Sequence, residues 1–426
     1  MNALALILLA PLAASPQDAE APKDKDVKQA VDRAVELLLA SQENYVPDSP
    51  VGRVRESQFD EWQSGERKRL DELADPKAGS EWPYEGVYRV GLDGRIPPGY
   101  RIGGTSIVCL SLFDAPGYDK DKDRKDAIAR AMVFVLDTLE NDPGMVAGPK
   151  RGYDVRGWGH AYALRFLLRA KELGRIKKDQ IERVEAMIPH LLGCLEANEN
   201  PGGGWNYANN NSSSPFMTPS TLIALYEAKD QGYAFDPQLV ERGLASLERG
   251  RTAETGSYSY SIGRRNRSEP MAASAARSAA SELVLFQAGR SDSERLKTAI
   301  DGFFGNWDHL FDRKSKQGTH EGEFSIAPYY FFYGHTYTAL AIEYLPKEER
   351  AKYRTMMRET LWRTLEDDGG WNDRIFPRTR SFSTAMSLMA IQAEDMPTIP
   401  EWKSAPAEAS SEKRDKKVKG DEDGEL

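Results

Sequence analysis

The stretch Gly202-Gly203-Gly204-Trp205-Asn206-Tyr207, followed by Thr218-Pro219-Ser220-Thr221-Leu222-Ile223-Ala224-Leu225, decides how the chain is read. Glycines admit positive φ and so allow a tight turn, and a tryptophan after it can wedge between neighbouring elements. The segment that follows is small or apolar all round, the mark of a buried helix. The same order returns at Gly369-Gly370-Trp371-Asn372 and Ser383-Thr384-Ala385-Met386-Ser387-Leu388-Met389-Ala390.

Working outward from these two copies, six units share one plan: an amphipathic helix, a loop rich in Gly, Trp, Tyr and Arg, then a more apolar helix. The second helices open near Gly103, Gly159, Thr218, Met271, Gly334 and Ser381. A recurrence on the order of fifty residues points to a repeat architecture rather than independent domains. The first helices are amphipathic. Residues 27–42 place Ala30, Ala34, Leu37 and Leu38 on one face, and 127–140 and 181–197 follow the same rule. The pattern predicts an all-α (α/α)6 toroid of six helical hairpins. Outer helices face solvent, inner helices pack on their neighbours, and the long loops gather at one mouth, where a rigid scaffold carries its function. Tyr258-Ser259-Tyr260-Ser261-Ile262 alternates like a strand and predicts only a short extended loop.

The ends differ from this body. Residues 1–15 read as a signal peptide, with an apolar run at 3–14 too short to span a bilayer and small residues Ala13-Ala14-Ser15 for cleavage. Export to the periplasm or outside the cell follows. Residues 16–26 read as a linker, 27–396 as the toroid and 397–426 as a charged tail. From Trp402 onward that tail has almost no apolar residues and reads as disordered. The chain has 426 residues, 40% hydrophobic and 29% charged, which excludes wholesale disorder, collagen and a disulfide scaffold. A net charge of −9 argues against non-specific nucleic-acid binding. No later stretch is long enough to span a membrane. Cys109 and Cys194 sit in apolar surroundings without metal-ligand spacing, so neither metal nor cofactor is expected; whether they pair is left open.

The two Gly-Gly-Trp units, each followed by its Thr-bearing helix, resemble the repeat of the prenyltransferase/squalene-cyclase family, the terpenoid cyclase and protein prenyltransferase-like α/α toroids. The resemblance covers most of 27–393. It implies the ring, while the activities of that family need further motifs. The Asp-x-Asp-Asp acid of squalene-hopene-type cyclases is absent; the nearest run, Glu366-Asp367-Asp368, lies at a helix end. Phe332-Tyr333-Gly334-His335-Thr336 is similar to the His-bearing segment of the zinc prenyltransferases. Ser268-Glu269-Pro270-Met271, where the Asp-x-Cys partner should stand, has no Cys. Leu192-Gly193-Cys194-Leu195-Glu196 is not a thioester motif. The leading reading is therefore an exported relative without cyclase or zinc prenyltransferase activity. It would bind a small molecule, an oligosaccharide or a protein partner at the mouth. Two alternatives stay open: a carbohydrate-active lyase or hydrolase on the same ring, and a terpenoid-processing enzyme with a relocated acid. Charged residues in several mouth loops favour the former over the latter.

The candidate residues follow from position. His160 and His335 open equivalent inner helices and would serve as base or ligand. Hydrolysis needs a carboxylate pair and β-elimination an Arg/His pair, which singles out Glu269, Glu323, Asp154 and Arg277 beside them. Arg277 also reads as a structural ion pair with Glu269 or Glu323. The long first loop brings Trp82, Tyr84, Tyr100 and Arg101 as a lid over the cavity or a strap on its edge. Other expected ligand contacts are Tyr153 and Trp158, Trp205 and Tyr207, then Trp371, Asp373 and Arg380. Trp205 and Trp371 read at least as well as wedges between hairpins. His190, His309 and His320 lack the placement of the other two histidines and read as surface or loop residues.

Overall fold

The computed structural model describes residues 22–47, 55–86, 95–148, 155–207, 212–263 and 266–403. Its helices run α1 (Asp24–Ala40), α2 (Phe59–Leu73), α3 (Pro98–Asp114), α4 (Lys122–Asn141), α5 (Arg156–Glu172), α6 (Ile181–Ala197), α7 (Met217–Asp230), α8 (Gln238–Gly250), α9 (Met271–Gln287), α10 (Ser293–Gly305), α11 (Trp307–Phe311), α12 (Phe331–Ile342), α13 (Lys347–Trp362) and α14 (Thr379–Ile391). No strand forms among the described residues. Isolated bridges such as Arg251–Tyr258 and Ser213–Ile262 mark the short extended loop of the fourth unit.

Helices α3, α5, α7, α9, α12 and α14 form the inner ring, and α1, α4, α6, α8, α10 and α13 the outer one. Each inner helix packs on the next, α14 packs back on α3, and α1 lies against α14, so the ring of six hairpins closes. The sequence dictates the two layers. Every residue of α12 from Phe331 to Ile342 is buried. By contrast α8 buries Leu239, Val240, Leu244 and Leu247 and leaves Arg242, Glu248 and Arg249 in water. Full burial of a leucine such as Leu244 contributes about 2 kcal/mol. Closure between the first and sixth units is pinned by a buried ion pair, in which Arg378 Nε and Nη2 donate to the two carboxylate oxygens of Glu43 at 2.7 and 3.0 Å. At the mouth α3 and α5 meet so closely that only glycine fits. A Cβ on Gly99 would lie 2.4 Å from the Val155 carbonyl oxygen, and one on Gly159 would lie 2.9 Å from the Gly99 oxygen.

Further segments pack on the ring, and α1 begins earlier than its sequence pattern predicts. The first loop forms α2, which buries none of its own residues but lies over the sixth unit's loop; Gln63 Nε2 donates to Ile375 O at 2.8 Å and Arg67 pairs with Glu366 at 2.7 Å. Helix α1 starts at Asp24, inside the stretch read as linker. Residues 397–403, read as the start of the tail, form a strap across the far end of the ring. Trp402 is buried there: its indole donates to Glu241 Oε1 at 2.7 Å and stacks on Tyr226, while Tyr344 accepts the Ile399 amide at 2.6 Å. Two apolar side chains anchor a stretch whose average composition is polar. The signal segment and the chain beyond 403 lie outside the described residues. Among the described residues no helix is long and apolar enough to cross a membrane. Cys109 and Cys194 are separate buried thiols, and burial pushes Cys194 up to about 11.

Candidate functional site at the ring mouth

Each unit ties its loop to its inner helix through one polar side chain. In the third unit the Trp205 amide donates to Thr218 Oγ1 at 3.0 Å, and its indole donates to Leu195 O of the outer helix at 2.8 Å. In the sixth unit the Trp371 amide donates to Thr384 Oγ1 at 3.0 Å and its indole to Leu361 O at 2.9 Å. Trp82 does the same with Thr105 at 2.9 Å and Leu38 O at 2.7 Å, and the Tyr258 amide donates to Ser274 Oγ at 2.8 Å. In the second and fifth units a histidine holds this place. His160 Nε2 donates to Met145 O at 2.8 Å while Nδ1 accepts from Asn198 at 3.1 Å. His335 Nδ1 donates to Phe331 O at 2.8 Å while Nε2 accepts from the Trp307 indole at 2.8 Å. A carbonyl can only accept, so it fixes each tautomer. Burial holds both imidazoles neutral, each down at about 4. Both nitrogens of both rings are thus engaged inside the scaffold. Trp82, Trp205 and Trp371 are likewise buried wedges between the layers.

Above these anchors the mouth is lined with aromatic rings. Tyr84 lies on Phe382 with centroids 4.2 Å apart and packs against Trp158 at 5.5 Å and Tyr100 at 5.3 Å. Next to Tyr84 stands Asp373, close enough for its charge to bear on the Tyr84 hydroxyl. The turn that carries Asp373 follows Trp371; its amide donates to Ser383 Oγ at 3.1 Å and its carbonyl accepts the Ser315 amide at 2.8 Å. The carboxyl itself is fully buried, and neither oxygen has a well-formed hydrogen bond, though the Ser383 hydroxyl lies close enough to act on it. Burial pushes it up to about 7, against the opposing pull of Arg374, the Ser383 hydroxyl and Lys314. Arg374 Nη1 donates to the Gly86 carbonyl and Nη2 to the Gln317 carbonyl, and the guanidinium lies 4.5 Å over Phe376.

The opposite side of the mouth is built from the third, fourth and fifth units. Arg277 is buried on α9; it donates to the Tyr258 carbonyl at 2.8 and 3.0 Å and pairs with Glu269, whose other oxygen accepts the Tyr260 amide at 2.9 Å. The Arg277 guanidinium lies over Phe216 and Tyr260, and Tyr330 donates to Tyr260 at 3.2 Å. Tyr207 joins the two sides, its hydroxyl within electrostatic reach of Tyr100, Tyr260 and Tyr329. The remaining candidates are dispersed. Glu323 is exposed on the fifth loop. Arg101 pairs with Glu81 at 2.7 Å on the flank of the first hairpin. Arg380 pairs with Asp368 and lines a groove between α1 and α14. Tyr153 and Asp154 lie outside the described residues. Sequence reasoning passed over Arg374, Tyr260, Tyr329 and Tyr330. The run Pro328-Tyr329-Tyr330-Phe331-Phe332-Tyr333 was the signal that could have pointed to the last two.

Ring, mouth and buried carboxyl define a class: the closed (α/α)6 toroid with its polar groups collected at one end. Solved structures share that ring. Unsaturated glucuronyl hydrolase from Streptococcus agalactiae superposes with a TM-score of 0.52 at 12% identity, covering 91% of this chain and 97% of its own. The GH76A α-1,6-mannanase from Salegentibacter sp. HEL1_6 gives 0.50 at 11% identity, over 87% of this chain and 99% of its own. Hormoconis resinae glucoamylase gives 0.50 at 11% identity, over 90% and 77%. No protein-family model and no curated protein matches the sequence. These findings overturn the expected membership of the prenyltransferase/squalene-cyclase family, and with it the leading reading of a non-cyclising relative, because the matching rings are those of glycoside-processing enzymes. The physical reason is visible in the anchors. Gly-Gly-Trp with a following Thr ties a loop to two helices, a need of the ring rather than of any chemistry.

Proposed function

We propose that this chain is a carbohydrate-active hydrolase that protonates a glycosidic oxygen from Asp373 at the ring mouth. The observation that carries this reading is the buried Asp373 carboxyl, without a well-formed hydrogen bond, beside Tyr84, whose ring meets Tyr100 edge-on and Trp158 at a tilt. A carboxyl kept protonated near neutral pH is what a general acid requires. Aromatic faces suit the apolar faces of sugar rings, and the tyrosine hydroxyls suit their edges. In the reaction the leaving oxygen takes the Asp373 proton as its bond to the anomeric carbon breaks. Water adds to that carbon and gives its proton to Glu269, the carboxylate across the mouth. Fold neighbours support the substrate class. A form of the mannanase inactivated by changing two aspartates to asparagine binds α-1,6-mannotriose, and an Asp-to-Asn form of the glucuronyl hydrolase binds dGlcA-GalNAc6S. Elimination is less well supported. It needs a strong base, whereas burial pushes the Tyr84 and Tyr207 phenols up and both inner-helix histidines are engaged. An oligosaccharide is thus the proposed ligand. The apolar run at 3–14 supports export, which sequencing the N-terminus of the secreted protein would test.

The test is turnover of an oligosaccharide panel containing α-1,6-mannotriose, unsaturated glucuronyl disaccharides and maltotriose, followed by release of reducing ends. Asp373→Asn should lower kcat by roughly 10²–10⁴-fold while the variant still binds. A variant as active as the parent would overturn the reading.

A further inference from the structure

We propose that Tyr329 and His320 form a subsite that reads one hydroxyl of the bound saccharide, with the Tyr329 oxygen as acceptor. This rests on the carbohydrate reading above. The argument begins with the Ser325 carbonyl, 3.0 Å from His320 Nδ1. A carbonyl only accepts, so Nδ1 carries the proton and Nε2 presents a lone pair. Tyr329 Oη lies 3.0 Å from that Nε2 and donates to it. The single proton of the phenol is committed, so Oη can only accept; the Tyr260 and Tyr330 hydroxyls lie within reach of one of its lone pairs and leave the other for a donor. Tyr329 is 5% exposed and its hydroxyl bears on those of Tyr260 and Tyr100, which belong to other units, so the oxygen is directed inward to the mouth. His320 stands outside it, edge-on to Tyr260 with centroids 4.7 Å apart.

The backbone is held in an uncommon state at the two residues that build this relay. His320 and Ser325 both have φ of 52°, in the left-handed region that L side chains seldom occupy. The Glu321–Ile326 bridge and the 3.1 Å bond from Arg313 Nε to Ile326 O keep the loop closed. Strain of this kind gathers where geometry is specified by function. The groups that face the imidazole are Tyr260, Tyr329, Tyr330, Arg277, Arg313 and Glu269. Burial acts first and lowers the imidazole below 6.5; Arg277 and Arg313 act with it, Glu269 and the Ser325 carbonyl against it. Below that range Nε2 gains a proton, Tyr329 must turn its own proton into the mouth, and the acceptor becomes a donor.

Two measurements on the full chain test this. Nitrogen-15 NMR of the imidazoles should show His320 as the Nδ1–H tautomer, and Tyr329→Phe should raise its pKa, because a bond favouring the neutral ring is gone. An Nε2–H tautomer, or a pKa unmoved by Tyr329→Phe, overturns the proposal. Binding of α-1,6-mannotriose and of an unsaturated glucuronyl disaccharide is then measured in an Asp373→Asn background, where turnover is not needed. Adding Tyr329→Phe should weaken binding of at least one about tenfold. The loss of affinity at acid pH should flatten in His320→Gln. Equal binding with and without the Tyr329 hydroxyl, or no binding of either sugar, overturns the subsite. Full turnover by Asp373→Asn with the Tyr329 effect intact would instead remove the hydrolase reading and leave the subsite standing.

Discussion

Two copies of one turn face each other across the ring. Gly203-Gly204-Trp205-Asn206-Tyr207 and Gly369-Gly370-Trp371-Asn372-Asp373 share the glycines, the buried tryptophan and the asparagine. Gly203 and Gly369 have φ of 84° and 86°, and both tryptophans make the same pair of bonds, to a helix-borne threonine and to an outer-helix carbonyl. The copies part at the next residue. Tyr207 places a phenol in the mouth, a group that stays neutral and satisfied among other hydroxyls. Asp373 places a carboxyl there, fully buried and without a well-formed hydrogen bond. A repeat scaffold can thus keep its mechanical parts identical while one position varies its chemistry. The unsatisfied copy is the one that carries a cost in stability, as functional groups often do.

The largest expected effect separates the two turns by pH. Asp373 binds its proton up to about 7 when folded, against about 4 for an unfolded aspartate. Between those values the folded state holds more protons than the unfolded one, so stability falls as pH rises. The loss is roughly 4 kcal/mol across the window and is complete above about pH 7. Asp373→Asn should therefore be more stable than the parent at pH 8, and its unfolding free energy should lack this slope. Denaturant unfolding at pH 4.5, 6 and 8 checks it, and a parent curve flat over that range would sink the assignment.

A smaller effect contrasts the threonine-anchored units with the histidine-anchored ones. His160 and His335 stay neutral in the fold down to about 4, whereas an unfolded histidine takes its proton near 6.5. Here the unfolded state holds more protons, so stability is lost as pH falls from 6.5 towards 4, by about 3 kcal/mol for each ring. In His335→Thr, which gives the fifth unit the anchor of the third and sixth, the acid loss should shrink by about half. The difference in Tm between pH 7 and pH 4.5, compared between parent and variant, measures it. An unchanged difference would mean that His335 is already charged or hydrated in the fold.

How far the sequence alone could lead follows from the same contrast. The ring was legible because periodicity and glycine turns are local signals repeated six times, and repetition averages out local noise. Recurrence also put His160 and His335 at matching positions, although spacing cannot tell an anchor from a base: each ring has at least one partner from another segment of the chain, Met145 and Asn198 for His160 and Trp307 for His335. The orphaned state of Asp373 depends on what Ser383, Tyr84 and Arg374 do with their own hydrogen bonds, and no window of sequence holds all of them. His320 read as a loop residue because its loop follows no period and takes left-handed φ at residues other than glycine. Trp402 was absorbed into a polar average. The family resemblance was carried by the anchor motif, which any ring of this build can use.

The smallest expected effect tests whether the two turns are mechanically equal. Thr218→Val and Thr384→Val each remove one hydroxyl with little change of shape, leaving the Trp205 or Trp371 amide buried without its acceptor. Each threonine hydroxyl also donates back to the carbonyl of the same tryptophan, at 3.2 Å for Thr218 and 3.3 Å for Thr384. The loss should be about 1–3 kcal/mol in either unit. The two sites share no partner, so the double variant should lose the sum to within about 0.5 kcal/mol. Unequal single losses would show that the carboxyl beside Trp371 already weakens its turn. In that case repeating Thr384→Val in the Asp373→Asn background should restore equality with Thr218→Val.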